Sequence, residues 1–282
     1  MLPPVIINCL PKAGTNLIKR LFGLLPLYKN VGFSLSRNTA EKCKDPYSDY
    51  FVGIGDPVAM AASEFENLMN RLLPNYYLIA HLPFREVTKN ILRLKQCRMI
   101  LLLRDPRDVI CSFVFYVLRK NTHYLHQYFN SLPDMTSRLK AVIKGIEPSL
   151  HNGYISLKSI AEQFKSIIAW MQLENTNIVL FEHLIGEDGG GTRIMQKTAV
   201  TSILDSLGYF LNEKDKDYLC SKLYSKESAT YRKGKIGDWR NYFSDEISKY
   251  FEEHSGNILS QYQEILEYEL RILENLTIRE IK

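Results

Sequence analysis

The residues best suited to chemistry form a short segment near the start of the chain, Pro11-Lys-Ala-Gly-Thr-Asn16. The segment follows an apolar, strand-like run at residues 5–9 and precedes a helix-like run at residues 17–24. A glycine turn at a helix N-terminus aims backbone N–H groups and the positive end of the helix dipole at an anion, and Lys12 adds a full positive charge. The segment therefore predicts a phosphate site. The plainer interpretation is a helix N-cap turn that happens to contain a lysine.

A second anion-binding pattern lies at residues 101–112, where Arg104 ends a strand-like run and Ser112 stands two turns into the following helix. Both side chains can then face one phosphate from adjacent elements, and the arginine fork can donate two hydrogen bonds to phosphate oxygens. A structural alternative pairs Arg104 with Asp105 or Asp108 at the start of that helix.

A third pattern occupies residues 232–241 and begins with Arg232, Lys233 and Gly234. The glycine permits a close approach of the backbone to a ligand, and the two cations suit an anion. A solvated, charged loop is the alternative for this segment taken alone.

Together, the three patterns resemble those of the cytosolic-type sulfotransferases, which transfer a sulfuryl group from 3′-phosphoadenosine 5′-phosphosulfate (PAPS) to an acceptor. In that family the first motif reads close to P-K-S-G-T-T-W, and the second places an Arg and a Ser eight residues apart, as here. The third reads R-K-G-x-x-G-D-W-K-N-x-F, which this chain matches almost completely, through Phe243. The glycine-rich loop and the compact length are more similar to bacterial members than to animal ones.

The resemblance implies PAPS as the donor, 3′-phosphoadenosine 5′-phosphate (PAP) as the product, in-line displacement at sulfur and no metal. It also implies that Lys12 stabilises the charge that develops on the bridging oxygen as the sulfur–oxygen bond breaks. The implied donor contacts are Lys12, Ala13, Gly14, Thr15 and Asn16 around the 5′-phosphosulfate, and Arg104, Ser112, Arg232, Lys233 and Gly234 around the 3′-phosphate.

His81 ends a strand-like run at residues 77–80 and is followed by Leu82 and Pro83. This H-L-P sequence resembles the family segment that contains the catalytic base, which assigns that role to His81. A neutral imidazole can take the proton of the acceptor as its oxygen or nitrogen attacks sulfur. Without the resemblance, a lone histidine at a strand end is more often structural, and His123 and His126 are weaker rivals.

Three positions depart from the family pattern. Leu17 stands where the family has a tryptophan that stacks on adenine, so the adenine must be held by apolar packing or by another aromatic residue, for which Tyr224 is a candidate. Ile79 replaces a lysine two residues before the histidine. Phe181 replaces a tyrosine after the fourth strand, and the expected acid, Glu182, follows it.

The sequence does not identify the acceptor beyond a small molecule that carries a hydroxyl or an amine. Two polar, irregular stretches, residues 34–57 and 121–152, are longer than usual connections and are predicted to be acceptor loops. Several aromatic residues could line an apolar acceptor pocket, although their helical spacing also suits a core. They are Phe113, Phe115, Tyr116, Tyr124, Tyr128 and Phe129.

Composition limits the expected partners, cellular compartment and domain organisation. The 282 residues carry a net charge of +5 from 36 basic and 31 acidic residues, so neither a nucleic acid nor a membrane is required as a partner. The five scattered cysteines suit a reducing compartment. We expect a cytoplasmic protein with a single sulfotransferase domain over residues 1–282, and a homodimer stays open.

The order of elements predicts an α/β, P-loop-like fold in three layers, with a central, mainly parallel sheet flanked by helices. Strand-like runs at residues 5–9, 77–80, 99–103 and 177–181 alternate with helical patterns, notably residues 106–120 and 157–171. We also predict a mobile glycine loop at residues 189–191 and a helical C-terminal region at residues 244–274.

Two rival functions share the phosphate cradle. A P-loop nucleotide kinase or NTPase needs G-x-x-x-x-G-K-S/T, whereas here the lysine precedes the glycine by two residues. A non-catalytic nucleotide-binding module is the second rival, because Ile79 and Phe181 remove polar contacts near the sulfuryl group.

Overall fold

A five-stranded parallel sheet forms the centre of the computed structural model, which describes residues 1–225 and 233–281. Arg232 of the third motif lies outside the described residues. The strand order in the large sheet is β2-β5-β1-β6-β7, and β3 pairs with β4 in a short antiparallel hairpin. The strands are β1 (Val5–Cys9), β2 (Lys29–Leu35), β3 (Phe51–Val52), β4 (Val58–Ala59), β5 (Tyr76–Ala80), β6 (Arg98–Leu103) and β7 (Thr176–Leu180).

Helices flank this sheet, which confirms the predicted α/β fold class. The helices in the first half of the chain are α1 (Thr15–Gly23), α2 (Arg37–Ala40), α3 (Ala62–Asn70), α4 (Glu86–Leu94), α5 (Pro106–Arg119), α6 (His126–Ser131) and α7 (Met135–Lys144). Those in the second half are α8 (Ile160–Ile168), α9 (Phe181–Leu184), α10 (Arg193–Ser206), α11 (Glu213–Leu223), α12 (Asp245–Ser255) and α13 (Ile258–Ile281). No helix in the described part of the chain is long and apolar enough to cross a membrane.

The inner strands are covered on both faces, which explains why they read as unbroken apolar runs. All five residues of β1 are buried, and so are Met99, Ile100 and Leu101 of β6. The parallel register pairs Val5 with both Tyr77 and Arg98, so that the carboxyl ends of β5, β1 and β6 meet at one edge. A parallel α/β sheet binds its ligands at this edge.

Some connections differ from the sequence predictions. Strand β2 was not predicted, because Lys29, Asn30 and Gly32 break its apolar pattern and its pairing with β5 shifts register between Asn30 and Ser34. Residues 121–152 are less irregular than expected, since they contain α6 and α7.

The glycine-rich segment and the C-terminal region also have more definite structure than predicted. Gly189 ends a 3₁₀ turn, and its carbonyl accepts a hydrogen bond from the Ile236 N–H at 2.9 Å, which ties this segment to the third motif. The C-terminal region divides into α12 and α13 at Gly256, whose φ of 59° stops a helix.

Candidate active site

A cleft of about 700 Å³ opens at the carboxyl edge of the parallel sheet. Four of its residues follow four neighbouring strands: His81 after β5, Lys12 after β1, Arg104 after β6 and Phe181 after β7. Most of the predicted site residues in the described part of the chain line it. They are Lys12, Gly14, Thr15, Asn16, His81, Arg104, Ser112, Lys233 and Gly234.

Ala13 is the predicted site residue that the structure does not bring to the cleft. Its side chain is fully buried, and its N–H donates to the Leu10 carbonyl at 3.1 Å, so the amide closes the turn between β1 and α1.

The charged residues that line the described part of the cleft are all basic. Among its described lining residues there are lysines and arginines but no aspartate or glutamate, and a concave site with one sign of charge attracts ligands of the opposite sign. The cationic residues are Lys12, Lys19, Arg20, Arg104, Lys233 and Lys235. The cleft therefore suits a ligand with more than one negative charge.

The loop between β1 and α1 is held in an uncommon conformation. Lys12 has a φ of 75°, in the left-handed region that costs a residue with a side chain about 1–2 kcal/mol. Its ammonium lies 4.4 Å from the centre of the Tyr116 ring, and the N-cap of α1 is Gly14, which provides no side-chain hydrogen bond. The hydroxyl of Thr15 lies 3.3 Å from the Cys9 sulfur. Such strain is typical of loops that position a ligand.

Gly14 is required at its position by both conformation and packing. Its φ is 112°, and a Cβ added there would lie 2.7 Å from Cδ2 of Phe181. We expect Gly14→Ala to destabilise the fold by about 2–5 kcal/mol, the sum of backbone strain and overpacking. Thermal denaturation measures this loss.

Gly23→Ala is the matched control for that substitution. Gly23 is the last residue of the same helix, and no atom lies within 4 Å of an added Cβ. This variant should be neutral or more stable by up to about 1 kcal/mol. Equal stabilities for the two variants would contradict our account of Gly14.

His81 is fixed by neighbouring strands and has a defined tautomer. The backbone N–H of His81 donates to the Leu35 carbonyl at 2.8 Å, and the backbone carbonyl of His81 accepts from the Gly53 N–H at 2.9 Å. Nδ1 lies 2.7 Å from the Cys9 carbonyl oxygen, which can only accept, so Nδ1 carries the proton. In the neutral ring, Nε2 is therefore unprotonated and able to accept a proton.

The surroundings of His81 keep it neutral. Burial lowers its pKa, the nearby charge of Lys12 lowers it further, and the hydrogen bond to the Cys9 carbonyl opposes both effects. Asn8, which the sequence analysis did not single out, holds the adjacent residue: its amide accepts from the Leu82 N–H at 2.8 Å and donates to the Leu82 carbonyl at 3.1 Å.

Arg104 joins the three motifs that the sequence predicted. Its Nη1 donates to the Lys12 carbonyl at 3.4 Å, and its Nη2 donates to the Lys235 carbonyl at 2.9 Å. The guanidinium lies over the Phe181 ring, 4.1 Å from its centre. Its Nε is buried and has no hydrogen-bond partner among the described residues. Because a buried N–H without a partner is costly, this atom points to a missing acceptor.

Asp108 holds the third motif against the second. Its carboxylate accepts hydrogen bonds from the Gly237 N–H at 2.8 Å and the Trp239 N–H at 2.9 Å, and it lies 3.4 Å from Arg104 Nη2. Burial raises the pKa of Asp108, while Arg104 and the two N–H groups oppose the rise. The structural alternative for Arg104, a pair with Asp108, is therefore present, and the same guanidinium also lines the cleft.

The departures from the family pattern are accommodated in different ways. Leu17 and Tyr224 both lie on the wall of the cleft. Phe181 retains a ring beneath Arg104 but has no hydroxyl, and Ile79 is 7% exposed in β5. Lys233 Nζ lies 2.9 Å from the Asp238 carboxylate, so the third motif also has an internal ion pair.

The two rival histidines do not line the cleft. Burial and neighbouring cations lower the pKa of His123 to about 4, and its Nδ1 accepts from the Leu125 N–H at 3.3 Å. His126 bonds through Nδ1 to the Val117 carbonyl at 2.9 Å and through Nε2 to Asn130 at 3.1 Å.

Comparison with known proteins agrees with this geometry. The family model for the sulfotransferase domain matches residues 2–263. Sulfotransferase 1A1 from mouse is 24% identical over 278 residues, which cover 91% of this chain and 84% of the mouse protein. Sulfotransferase 1E1 from cattle is 24% identical over 281 residues, which cover 89% of this chain and 81% of the bovine protein.

A solved structure shows the same fold. The crystal structure of mouse sulfotransferase SULT7A1 complexed with PAP superimposes with a TM-score of 0.63 at 18% identity, covering 95% of this chain and 88% of that one. The family match extends over most of the sequence and includes all three anion-binding motifs. This chain therefore belongs to the sulfotransferase family, which makes it a transferase of the EC 2.8.2 type.

Proposed function

We propose that this protein transfers the sulfuryl group of PAPS to a hydroxyl or an amine of a small-molecule acceptor. The observation that carries the proposal is one cationic cleft lined by two groups of residues, which Arg104 links through its hydrogen bonds to the carbonyls of Lys12 and Lys235. The first is the Lys12 loop at the N-terminus of α1, and the second combines Arg104 and Ser112 with the segment that contains Lys233.

The residues present fit a nucleotide with separate 5′ and 3′ anionic groups. The first turn of α1 offers its backbone N–H groups to a 5′-phosphosulfate, because the N-cap residue Gly14 has no side chain to bond to them. The guanidinium of Arg104 lines the cleft and has five N–H groups, more than the carbonyls of Lys12 and Lys235 use, so it can also donate to a 3′-phosphate. Leu17 and Tyr224 form an apolar and aromatic wall for the adenine.

His81 and Lys12 divide the chemistry between them. As the acceptor oxygen or nitrogen attacks sulfur, its proton passes to His81 Nε2, the ring nitrogen that does not bond to Cys9. The bond between sulfur and the bridging phosphate oxygen breaks at the same time, and Lys12 stabilises the negative charge left on that oxygen. PAP and the sulfated acceptor are the products.

Calorimetric titration with PAP, 5′-AMP and ATP plus magnesium tests the donor assignment. PAP and AMP differ only in the 3′-phosphate, so we expect PAP to bind at least about tenfold more tightly, the size of one charge-assisted contact. Preference for ATP with magnesium would contradict our proposal and favour a P-loop nucleotide kinase or NTPase. Tight PAPS binding without transfer to any member of a hydroxyl and amine panel would favour a non-catalytic module.

A further inference from the structure

A group of buried polar side chains lies behind the donor site, between the segment that follows β7 and the C-terminal helix α13. Glu182 and His183 come from the segment after β7, and Tyr262 and Glu269 come from α13. His183, Tyr262 and Glu269 are each less than 10% exposed. Since buried carboxylates are costly unless they are paired, this arrangement calls for a reason beyond packing.

The first contact of this group reaches the turn that carries Arg104. Glu182 Oε1 accepts a hydrogen bond from the Asp105 N–H at 3.0 Å. Asp105 follows Arg104 directly and caps α5, because its own carboxylate accepts from the Arg107 N–H at 2.9 Å. The Glu182 carboxylate therefore fixes the backbone at the point where the guanidinium of Arg104 turns toward the cleft.

The second contact of the group reaches α13. The Tyr262 hydroxyl faces the Glu182 carboxyl and interacts with it electrostatically. Both the hydroxyl and Glu182 Oε2 are buried, and neither has a hydrogen-bond partner in the described part of the chain. Burial raises the pKa of both groups. Glu269 Oε2 contacts His183 Nδ1, and Glu269 Oε1 accepts a hydrogen bond from the Leu180 N–H at 3.3 Å. Helix α13 is therefore anchored on both sides of Glu182.

We propose that Glu182 is a positioning residue for the 3′-phosphate site, acting through the Asp105 N–H on Arg104, and that α13 holds it there through Tyr262 and Glu269. The inference rests on the proposed function, because it takes the ligand of Arg104 to be a 3′-phosphate. It extends that function by making the C-terminal helix part of donor recognition, although α13 supplies no lining residue in the described part of the cleft.

Two substitutions separate the hydrogen bond of Glu182 from its charge. Glu182→Ala removes the acceptor of the Asp105 N–H. Glu182→Gln keeps an oxygen acceptor and removes any negative charge beside Arg104. If Glu182 positions the site, alanine should impair phosphate recognition and glutamine should restore it. If the Glu182 carboxylate only repelled the phosphate, alanine would instead improve phosphate recognition.

The readout is the affinity ratio of PAP to 5′-AMP, measured by calorimetry for the wild-type protein and each variant. Glu182→Ala should lower the preference for PAP by about tenfold and leave AMP binding near its wild-type value, the size expected for one lost charge-assisted hydrogen bond. Glu182→Gln should keep the wild-type ratio or exceed it. Tyr262→Phe, which retains the ring, should lower the ratio by a smaller factor.

Glu187→Ala is the matched control, since it removes an exposed carboxylate five residues further along the chain. A wild-type protein that does not prefer PAP to AMP overturns the proposed function and this inference together. A wild-type preference that persists in Glu182→Ala overturns the inference alone. If Glu182→Ala does not fold, the other two variants decide. A lowered PAP-to-AMP affinity ratio in Glu182→Gln, or an unchanged ratio in Tyr262→Phe, would overturn the inference.

Discussion

Replacing His81 with alanine is expected to lower turnover by roughly 10²–10³-fold while the affinity for PAP stays within about threefold of wild type. The loss follows from removing Nε2, the proton acceptor that the hydrogen bond from Nδ1 to Cys9 leaves in its basic form. Donor affinity should persist because the proposed donor contacts come from other residues that line the cleft, chiefly Lys12 and Arg104. PAP release, measured with the best acceptor from a panel of alcohols, phenols and amines, gives the turnover.

The pH dependence provides a second readout for the same variant. A general base works in its neutral form, so kcat/KM should rise with pH through the pKa of His81 and then level off. Burial lowers that pKa below its ordinary value, which places the rising limb on the acidic side and the plateau at neutral pH. In His81→Ala the rising limb due to this group should disappear.

Two further variants test whether the loss of turnover is specific to His81. His151→Ala removes an exposed histidine and should leave turnover unchanged. Lys12→Ala should lower turnover by a similar factor, but it should also weaken donor binding, because Lys12 carries a charge in the phosphate loop. Turnover near wild type in a folded His81→Ala protein would remove His81 from the mechanism.

The grouping of the predicted site residues around one cleft could be predicted largely from the sequence, because the motifs are local. The Lys12 loop needs only a strand, a glycine turn and a helix in order, and these occur at Val5–Cys9 and Thr15–Gly23. The strand β6 ahead of Arg104 was equally clear, since a strand buried on both faces reads as a continuous apolar run. Edge strand β2, which is half exposed, carries no such signal.

The residues that connect the motifs could not be predicted in the same way. Asp108 and Glu182 look like ordinary acids at helix starts, and Asn8 looks like a polar interruption of a strand. Each acts through a partner far away in sequence: Asp108 on Gly237, Glu182 on Asp105, and Asn8 on the residue after His81. A single sequence contains no record of such pairings, because they depend on the tertiary fold.

Replacing Asp108 with alanine is expected to destabilise the protein by about 3–5 kcal/mol, the usual cost of removing one member of a buried ion pair. The substitution leaves Arg104 without its buried carboxylate and the N–H groups of Gly237 and Trp239 without their acceptor. For a chain of this size the melting temperature should fall by roughly 10 °C. Glu252→Ala, at an exposed position, should leave it unchanged.

A double-mutant cycle decides whether the charge of Arg104 or the anchoring of the third motif dominates this loss. If the uncompensated guanidinium is the main cost, Arg104→Ala combined with Asp108→Ala should be less destabilising than the sum of the two single substitutions. If the unpaired N–H groups of Gly237 and Trp239 dominate, the losses of the two single substitutions should add, so that the double variant is as unstable as their sum. A loss below about 1 kcal/mol in Asp108→Ala would contradict both accounts.

The same pair explains how one arginine can serve the fold and the ligand together. A guanidinium has five N–H groups in a fixed plane. In Arg104, Nη1 and Nη2 contact the carbonyls of Lys12 and Lys235, Nη2 also faces Asp108, and the buried Nε has no partner among the described residues. Asp108 therefore stabilises the arginine without using all of its donors. PAP should still raise the melting temperature of the Asp108→Ala protein, and no rise at saturating PAP would show that the 3′-phosphate site depends on the intact pair.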